Sequence, residues 1–277
     1  MTKYATHMKG KITILLLVSL MILTGCKKDD DNPGKITIPD NTELPPGTTI
    51  TIITEDGEEI KVTPGASIDV EPGTYRIVVT KNSEGVTIKK TIASLPASSG
   101  GEVPQAPALQ ADVIDVTVTK DQVFVPEISL KPMTREVQVR VNIAGLNPDK
   151  IASVKVTLYG VGNTIDLAQG FGSVSATEGV YHTSMSMQGY QPASIMAMHI
   201  MGIAPGGSPY IKIEVTTKDG EMHELQQDVT QALAGFNSGD PAQPVLLNAE
   251  LTVTTEVGMV GTIKPWKPGW EGEIDGF

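Results

Sequence analysis

Residues 136–143 read Glu-Val-Gln-Val-Arg-Val-Asn-Ile, and this stretch decides the fold class. Val137, Val139, Val141 and Ile143 fall on one face, and Gln138, Arg140 and Asn142 fall on the other. A period of two with one apolar face is the pattern of an antiparallel sheet covering a core. Ile151–Tyr159 repeats it with Val154, Val156 and Leu158. The spacing predicts further strands over 180–187, 194–203, 210–217 and 245–255, with Lys218-Asp219-Gly220 as a turn. Only Asp228–Phe236 reads as a helix, with Asp228 as N-cap and Gly235 near its end.

Toward the N-terminus the same signal continues. Thr48–Thr54 (TTITIIT), a turn at Glu55-Asp56-Gly57-Glu58 and Glu59–Thr63 predict a hairpin. Thr74–Thr80, 86–92, 112–119 and 122–130 also have strand character. Residues 94–108 (SLPASSGGEVPQAPA) are rich in Pro, Gly, Ser and Ala, and predict a long loop. Strands punctuated by Gly and Pro turns predict an all-β chain of two antiparallel β-sandwiches, over 46–132 and 133–262. A tail of 263–277 follows. Met185, Met187, Met196, Met198 and Met201 lie in or beside strands and are read as core fillers in a chain with 4% aromatics.

Composition excludes several chemistries. The chain has 277 residues and a formal net charge of −11, with no long basic run, which argues against nucleic acid as the partner. One cysteine rules out a disulfide scaffold and a zinc site built on a Cys cluster. His182, His199 and His223 are far apart, with no His-x-x-x-His pair, so no metal site is expected. No Gly-x-Ser-x-Gly elbow occurs, and neither Gly160-Val161-Gly162 nor Gly170-Phe171-Gly172 opens a helix after a strand. No catalytic residues and no cofactor are expected, and the chain reads as a non-enzyme.

The start of the chain reads as an address. Lys3, Lys9 and Lys11 form a basic region, and Ile12–Leu23 is an apolar run too short to span a bilayer. Leu23-Thr24-Gly25-Cys26 resembles the lipobox of bacterial lipoproteins. That resemblance implies removal of residues 1–25 as a signal peptide and acylation of Cys26. Several acyl chains, at roughly 0.8 kcal/mol per buried methylene, make such attachment effectively permanent. Residues 26–45 are then a lipidated tether. Lys27-Lys28-Asp29-Asp30-Asp31 resembles the export signal of surface lipoproteins of the Bacteroidetes. It implies the outer face of the outer membrane. Cleavage after residue 25 removes three Lys and no acid, so the mature chain is more acidic still. Acyl chains, and not a basic patch, then hold it at an anionic surface.

Both tryptophans, Trp266 and Trp270, sit among Pro and Gly in 263–277 (IKPWKPGWEGEIDGF). Two readings stand side by side. They bind a partner, by stacking on a sugar or docking in a protein groove, or they cover an open edge of their own domain.

Taken in order, several segments resemble the FimB-type fimbrial anchor and accessory lipoproteins of the Bacteroidales, relatives of the fimbrillins. They are the lipobox at Cys26, Pro72–Val79, the junction Pro132-Met133-Thr134-Arg135, Ile151–Val161 with Ile165-Asp166-Leu167, Asp228–Phe236 and the Trp-containing tail. The resemblance implies two tandem transthyretin-like β-sandwiches and a role in attaching or assembling fimbriae at the cell outer membrane. It implies fimbrillin-type subunits as partners, engaged by β-strand addition. No Arg-bounded cleavage site lies between Cys26 and the first strand, which favours an anchor or accessory role over a polymerising stalk. The alternative is a surface glycan-binding lipoprotein of a nutrient-uptake system, using Trp266, Trp270 or Tyr190 as a stacking platform.

Overall fold

The computed structural model describes residues 32–40, 42–175, 181–254 and 258–266. The first half carries β1 (Gly34–Thr37), β2 (Thr49–Ile53), β3 (Glu59–Val62), β4 (Ser67–Val70), β5 (Gly73–Lys81), β6 (Thr87–Lys89), β7 (Ile92–Ser94), β8 (Gln110–Val118), β9 (Val123–Phe124) and β10 (Lys131–Pro132). The second half carries β11 (Arg135–Ala144), β12 (Ile151–Val161), β13 (Thr164–Asp166), β14 (Tyr181–Gln188), β15 (Ser194–Ile200), β16 (Tyr210–Thr217), β17 (Met222–Asp228), β18 (Val245–Thr254) and β19 (Gly258–Pro265). The fold is all-β, with transthyretin-like sandwiches in tandem.

The strands form five sheets. In the first sandwich, β4-β1-β9 packs on β10-β8-β5-β2-β3. Their core holds Ile36, Ile52, Ile77 and Val79, all fully buried. In the second, β15-β11-β18-β19 faces β14-β12-β16-β17. Val137, Val139 and Val141 meet Val154, Val156 and Leu158 there, as the period-two pattern requires. Met196 and Met198 are buried in this core, and Met185 and Met187 pack at its margin. The pairing is antiparallel except for β11 with β18 and β1 with β9, which run parallel.

A third layer lies between the sandwiches. Sheet β13-β7-β6 joins strands from both halves of the chain. It covers the outer face of the five-stranded sheet, and a separate core forms there from Val78, Ala93, Leu109, Met133, Ile165 and Met201. The two halves are therefore welded by shared apolar burial and not joined by a bare linker.

Several elements depart from the sequence expectation. Residues 34–44, assigned to the tether, supply β1 and bury Ile36, Ile38 and Leu44 in the first core. Strand character over 122–130 survives only as β9, because Pro126 has no N–H to give a ladder. Asp228–Phe236 forms successive turns instead of a helix. Asp228 is the last residue of β17, and its carboxylate accepts the Thr230 N–H at 2.7 Å in a local turn. Nine residues with a glycine next to their end are too few to hold a helix alone. Their spacing still buries Val229, Leu233 and Phe236 on one side. The tail assigned from 263 begins inside β19.

Candidate functional site

A β-sandwich that meets partners through its margins is read edge by edge. In the second sandwich the edges of β14 and β15 are closed by the segment read as a loop. Residues 101–106 run along both strands as a strap. The His182 N–H donates to Gly101 O at 3.0 Å, the Val103 N–H to His182 O at 2.8 Å and the Ala106 N–H to His199 O at 3.0 Å. Pro104 and Pro107 carry no N–H, so the donors fall on the residues between them. Val103 is only 2% exposed and belongs to the second core, although it lies in the connection out of the first sandwich.

The opposite side is closed by one side chain. Gln227 Nε2 donates to Ile263 O at 2.9 Å, and the Ile263 N–H donates to Gln227 Oε1 at 2.7 Å. The amide uses one N–H and its oxygen here, as a strand residue would, and so bridges β17 to β19.

The first sandwich keeps open edges. On β4, Ser67 and Asp69 are exposed, and Lys35 Nζ lies 3.4 Å from Asp69. On β3, Glu59 and Lys61 are exposed. Charged side chains on short edge strands discourage promiscuous pairing while leaving the backbone available to a matched partner. Val123 in β9 and Val125 just after it are 61% and 57% exposed.

The junction is pinned by buried polar contacts. Arg135 Nη1 donates to Phe236 O at 2.8 Å and Nε to Gln243 O at 2.7 Å. Its guanidinium lies 5.2 Å from the centroid of the Phe236 ring. Burial pushes its pKa down, partly offset by Asp240. The Asn237 amide holds Ile203 through both of its backbone groups, each at 2.8 Å. None of these contacts announces itself in sequence, because the partners are backbone carbonyls distant along the chain.

Cys26 and Trp270 lie outside the described residues. Trp266 extends β19, its N–H donating to Leu246 O at 2.8 Å, and its ring lies 5.2 Å from the Arg140 guanidinium on the outer face of the sheet. Tyr190 is no stacking platform. It is buried, its hydroxyl accepts from the Ile143 N–H at 2.8 Å, and it donates to Val141 O at 3.3 Å. Burial pushes its pKa up. His199 lies 3.2 Å from Glu136, and His182 stacks on Tyr159, which stacks on Tyr210 at 4.3 Å. Among the described residues no group of three or more His, Cys, Asp or Glu is placed to hold a metal ion.

Residues 47–270 match the family model of the fimbrillin-A associated anchor proteins Mfa1 and Mfa2. The chain belongs to this anchor family. A solved structure of a candidate adhesin from Bacteroides ovatus ATCC 8483 superposes with a TM-score of 0.55 at 17% identity, covering 89% of this chain and 100% of that one. The fimbrial anchor protein Mfa2 from Porphyromonas gingivalis gives 0.47 at 14% identity, over 85% and 98% of the two chains. A second candidate adhesin from Bacteroides ovatus gives 0.47 at 10% identity, over 86% and 96%. No curated protein matches the sequence. Family and fold are those of fimbria-associated adhesion proteins. The family match begins at residue 47, so β1 lies outside it, although Ile36 is central to the first core.

Proposed function

We propose that the chain is a lipid-anchored outer-membrane protein, exposed on the cell surface, that anchors or helps assemble fimbriae. Acylated Cys26 is its membrane attachment, and a strand of a fimbrillin-type subunit adds to an edge of the first sandwich. One observation carries this reading: the chain enters the fold at the pole far from the second sandwich. A Cβ on Gly34 would lie 2.3 Å from Val118 and 2.7 Å from Thr119 O, at the far end of β8. The other end of β8 pairs with β10, which leads directly into β11. The eight residues from Cys26 to Gly34 span at most about 28 Å when fully extended. The first sandwich is thereby held close to the bilayer, and the second is directed away from it.

The seating of β1 supports an anchor over a stalk subunit. β1 is paired on both sides, with β4 and β9. Cutting the chain ahead of it would release the protein from its lipid. Labelled palmitate fed to the native host enters the wild-type chain and not Cys26→Ala. Deletion of the gene gives shed or abnormally long fimbriae, and fimbrial subunits co-purify with the wild-type protein. Unchanged fimbriae in the deletion strain would overturn the fimbrial role. Absence of palmitate from the wild-type chain would overturn the anchor.

A further inference from the structure

Sheet β13-β7-β6 leaves part of the five-stranded sheet uncovered. Val86 and Ile88 lean on the core around Val78, and beside them lies a groove of ≈ 410 Å³ with walls from β3 and from the β6–β7 hairpin. A second hollow, of ≈ 970 Å³, flanks the hairpin at Lys89 and Ile92. Glu59 and Lys90 line both, so the two meet there.

Alternation makes the floor of the groove polar. Thr49 and Thr51 share one side of β2 with Ile53, which packs into the core between the sandwiches. Across the ladder Thr49 faces Thr80, and Thr51 faces Lys61. The Thr49 and Thr80 hydroxyls lie 2.7 Å apart, and Thr80 is only 3% exposed. One of the two donates to the other, so the pair keeps one hydroxyl hydrogen and free lone pairs for a ligand.

Lys90 is fixed by its backbone. Its φ is +53° in the two-residue hairpin loop, a conformation such loops ordinarily give to glycine or asparagine. Its N–H donates to Glu59 Oε1 at 2.8 Å. Its Nζ lies over the β2–β3 turn, where a Cβ on Gly57 would come within 2.6 Å of it.

Charge and lining narrow the occupant. Lys61, Lys89 and Lys90 line the two hollows against one carboxylate, Glu59, in a chain of net charge −11. Among the described residues none of the three lysines forms an ion pair. Cations gathered on an acidic protein select an anion. Among the described residues no arginine lines either hollow, so the two-pronged recognition of a phosphate is missing. Single ammonium groups suit separated carboxylates. No described aromatic ring lines the hollows either, so a neutral sugar has nothing to stack on. β6 spans three residues, and Glu59 already meets the Lys90 N–H, which leaves too little free ladder for a peptide strand.

We propose that the two hollows form one binding site for an acidic polysaccharide, a chain of uronate sugars. Carboxylates on successive sugars meet Lys61, Lys90 and Lys89. Ring hydroxyls meet Thr51, the Thr49–Thr80 pair and Glu59, and the apolar side of a ring rests on Val86 and Ile88. The site uses neither the lipid nor a fimbrial subunit, so it stands or falls apart from the anchoring role.

The test is the fluorescence anisotropy of a labelled oligogalacturonate titrated with the detergent-solubilised full chain. Saturable binding is expected, and it weakens as salt is raised. Lys61→Gln and Lys90→Gln each weaken it about fivefold. Lys155→Gln removes the same charge from the second sandwich and leaves binding unchanged. All three lysines are exposed, and circular dichroism confirms that the variants are folded. A neutral galactan oligomer does not compete. Absence of saturable binding overturns the proposal. So does a loss with Lys155→Gln equal to that with Lys61→Gln, which would reflect net charge alone. Competition by polyglutamate or a sulfated oligosaccharide as strong as that by unlabelled oligogalacturonate also overturns it, because the hollows would then attract anions without recognising the sugar.

Discussion

Replacing Val103 with Ala removes two methyl groups from the second core without touching either sandwich's own strands. Val103 is 2% exposed, and its N–H donates to His182 O at 2.8 Å, so the strap backbone stays paired in the variant. The methyl groups cost about 0.8 kcal/mol each in lost burial. The space they leave adds about 1 kcal/mol, because the rigid strands around it close only in part. The expected loss is about 2.5 kcal/mol of unfolding free energy. Urea unfolding followed by circular dichroism reads this as a lower midpoint at unchanged slope. Hydrogen exchange adds a spatial readout: the amides of Val103 and His182 lose protection first. Gln105→Ala is the matched control, since its amide reaches only Ser184 O at 3.4 Å from an exposed position, and it shifts stability by less than about 0.5 kcal/mol. If Val103→Ala falls within that same margin, residues 101–106 lie on the surface as an ordinary loop, and the strap is not part of the core.

Three further outcomes test the packing. Arg135→Met leaves the carbonyls of Phe236 and Gln243 without donors and costs about 2 to 4 kcal/mol in urea unfolding. Gly239→Ala drives a Cβ to 2.3 Å from that guanidinium, so the double variant loses less than the sum of the two single changes. Tyr190→Phe keeps the ring and removes the hydroxyl that accepts from Ile143, which lowers stability by about 1 kcal/mol by the same measurement. Asp115 is held below its ordinary carboxylate range by its hydrogen bond to Arg76. Its contribution is therefore fully present above the unfolded value of 3.8 and is lost as pH falls through the lower folded value. Asp115→Asn flattens the stability curve below about pH 4, and 1 M salt shrinks the difference, because both side chains are largely exposed.

The sandwiches were legible because their strands obey a local rule. Val137 to Ile143 and Val154 to Leu158 alternate, and one buried face is all that alternation needs to say. The strap was not legible for the opposite reason. Val103 and Ala106 are isolated apolar residues among prolines and glycines, and nothing within ten residues of them reveals the edges of β14 and β15. The strand character read over 86–92 does hold β6, but β7 and β13 failed for a related reason: three residues carry no period, and these two strands pair with each other across about 70 positions. The turns over 228–236 kept the burial spacing of a helix but not its continuous hydrogen-bond ladder, the Leu233 N–H to Val229 O bond at 2.9 Å standing among i→i−3 turns, so Val229, Leu233 and Phe236 were readable as a core face while the backbone was not. At the candidate site, the sequence singled out aromatics. The edge closures instead rest on Gln227 and a strap backbone, residues with no compositional signature.

The arrangement of covered and open edges has a mechanical consequence under the proposed anchoring. Load from the lipid enters at Gly34, at the pole away from the second sandwich. β1 starts beside the far end of β8 and is paired with β4 over four positions and with β9 over two. Tension between the poles loads these ladders in shear, so their hydrogen bonds must fail together and not one by one. The same tension crosses the junction through the β7–β13 pairing and through Arg135, which ties the start of β11 to the turns at Phe236 and Gln243. A flexible linker would let each sandwich swing and feel force separately. Shared burial of Ala93 with Ile165, and of Leu109 with Met201, makes the two move as one lever instead. Under that proposal, closing both margins of the second sandwich while leaving those of the first open would direct strand addition to the end nearest the membrane, where an anchor has to take its load.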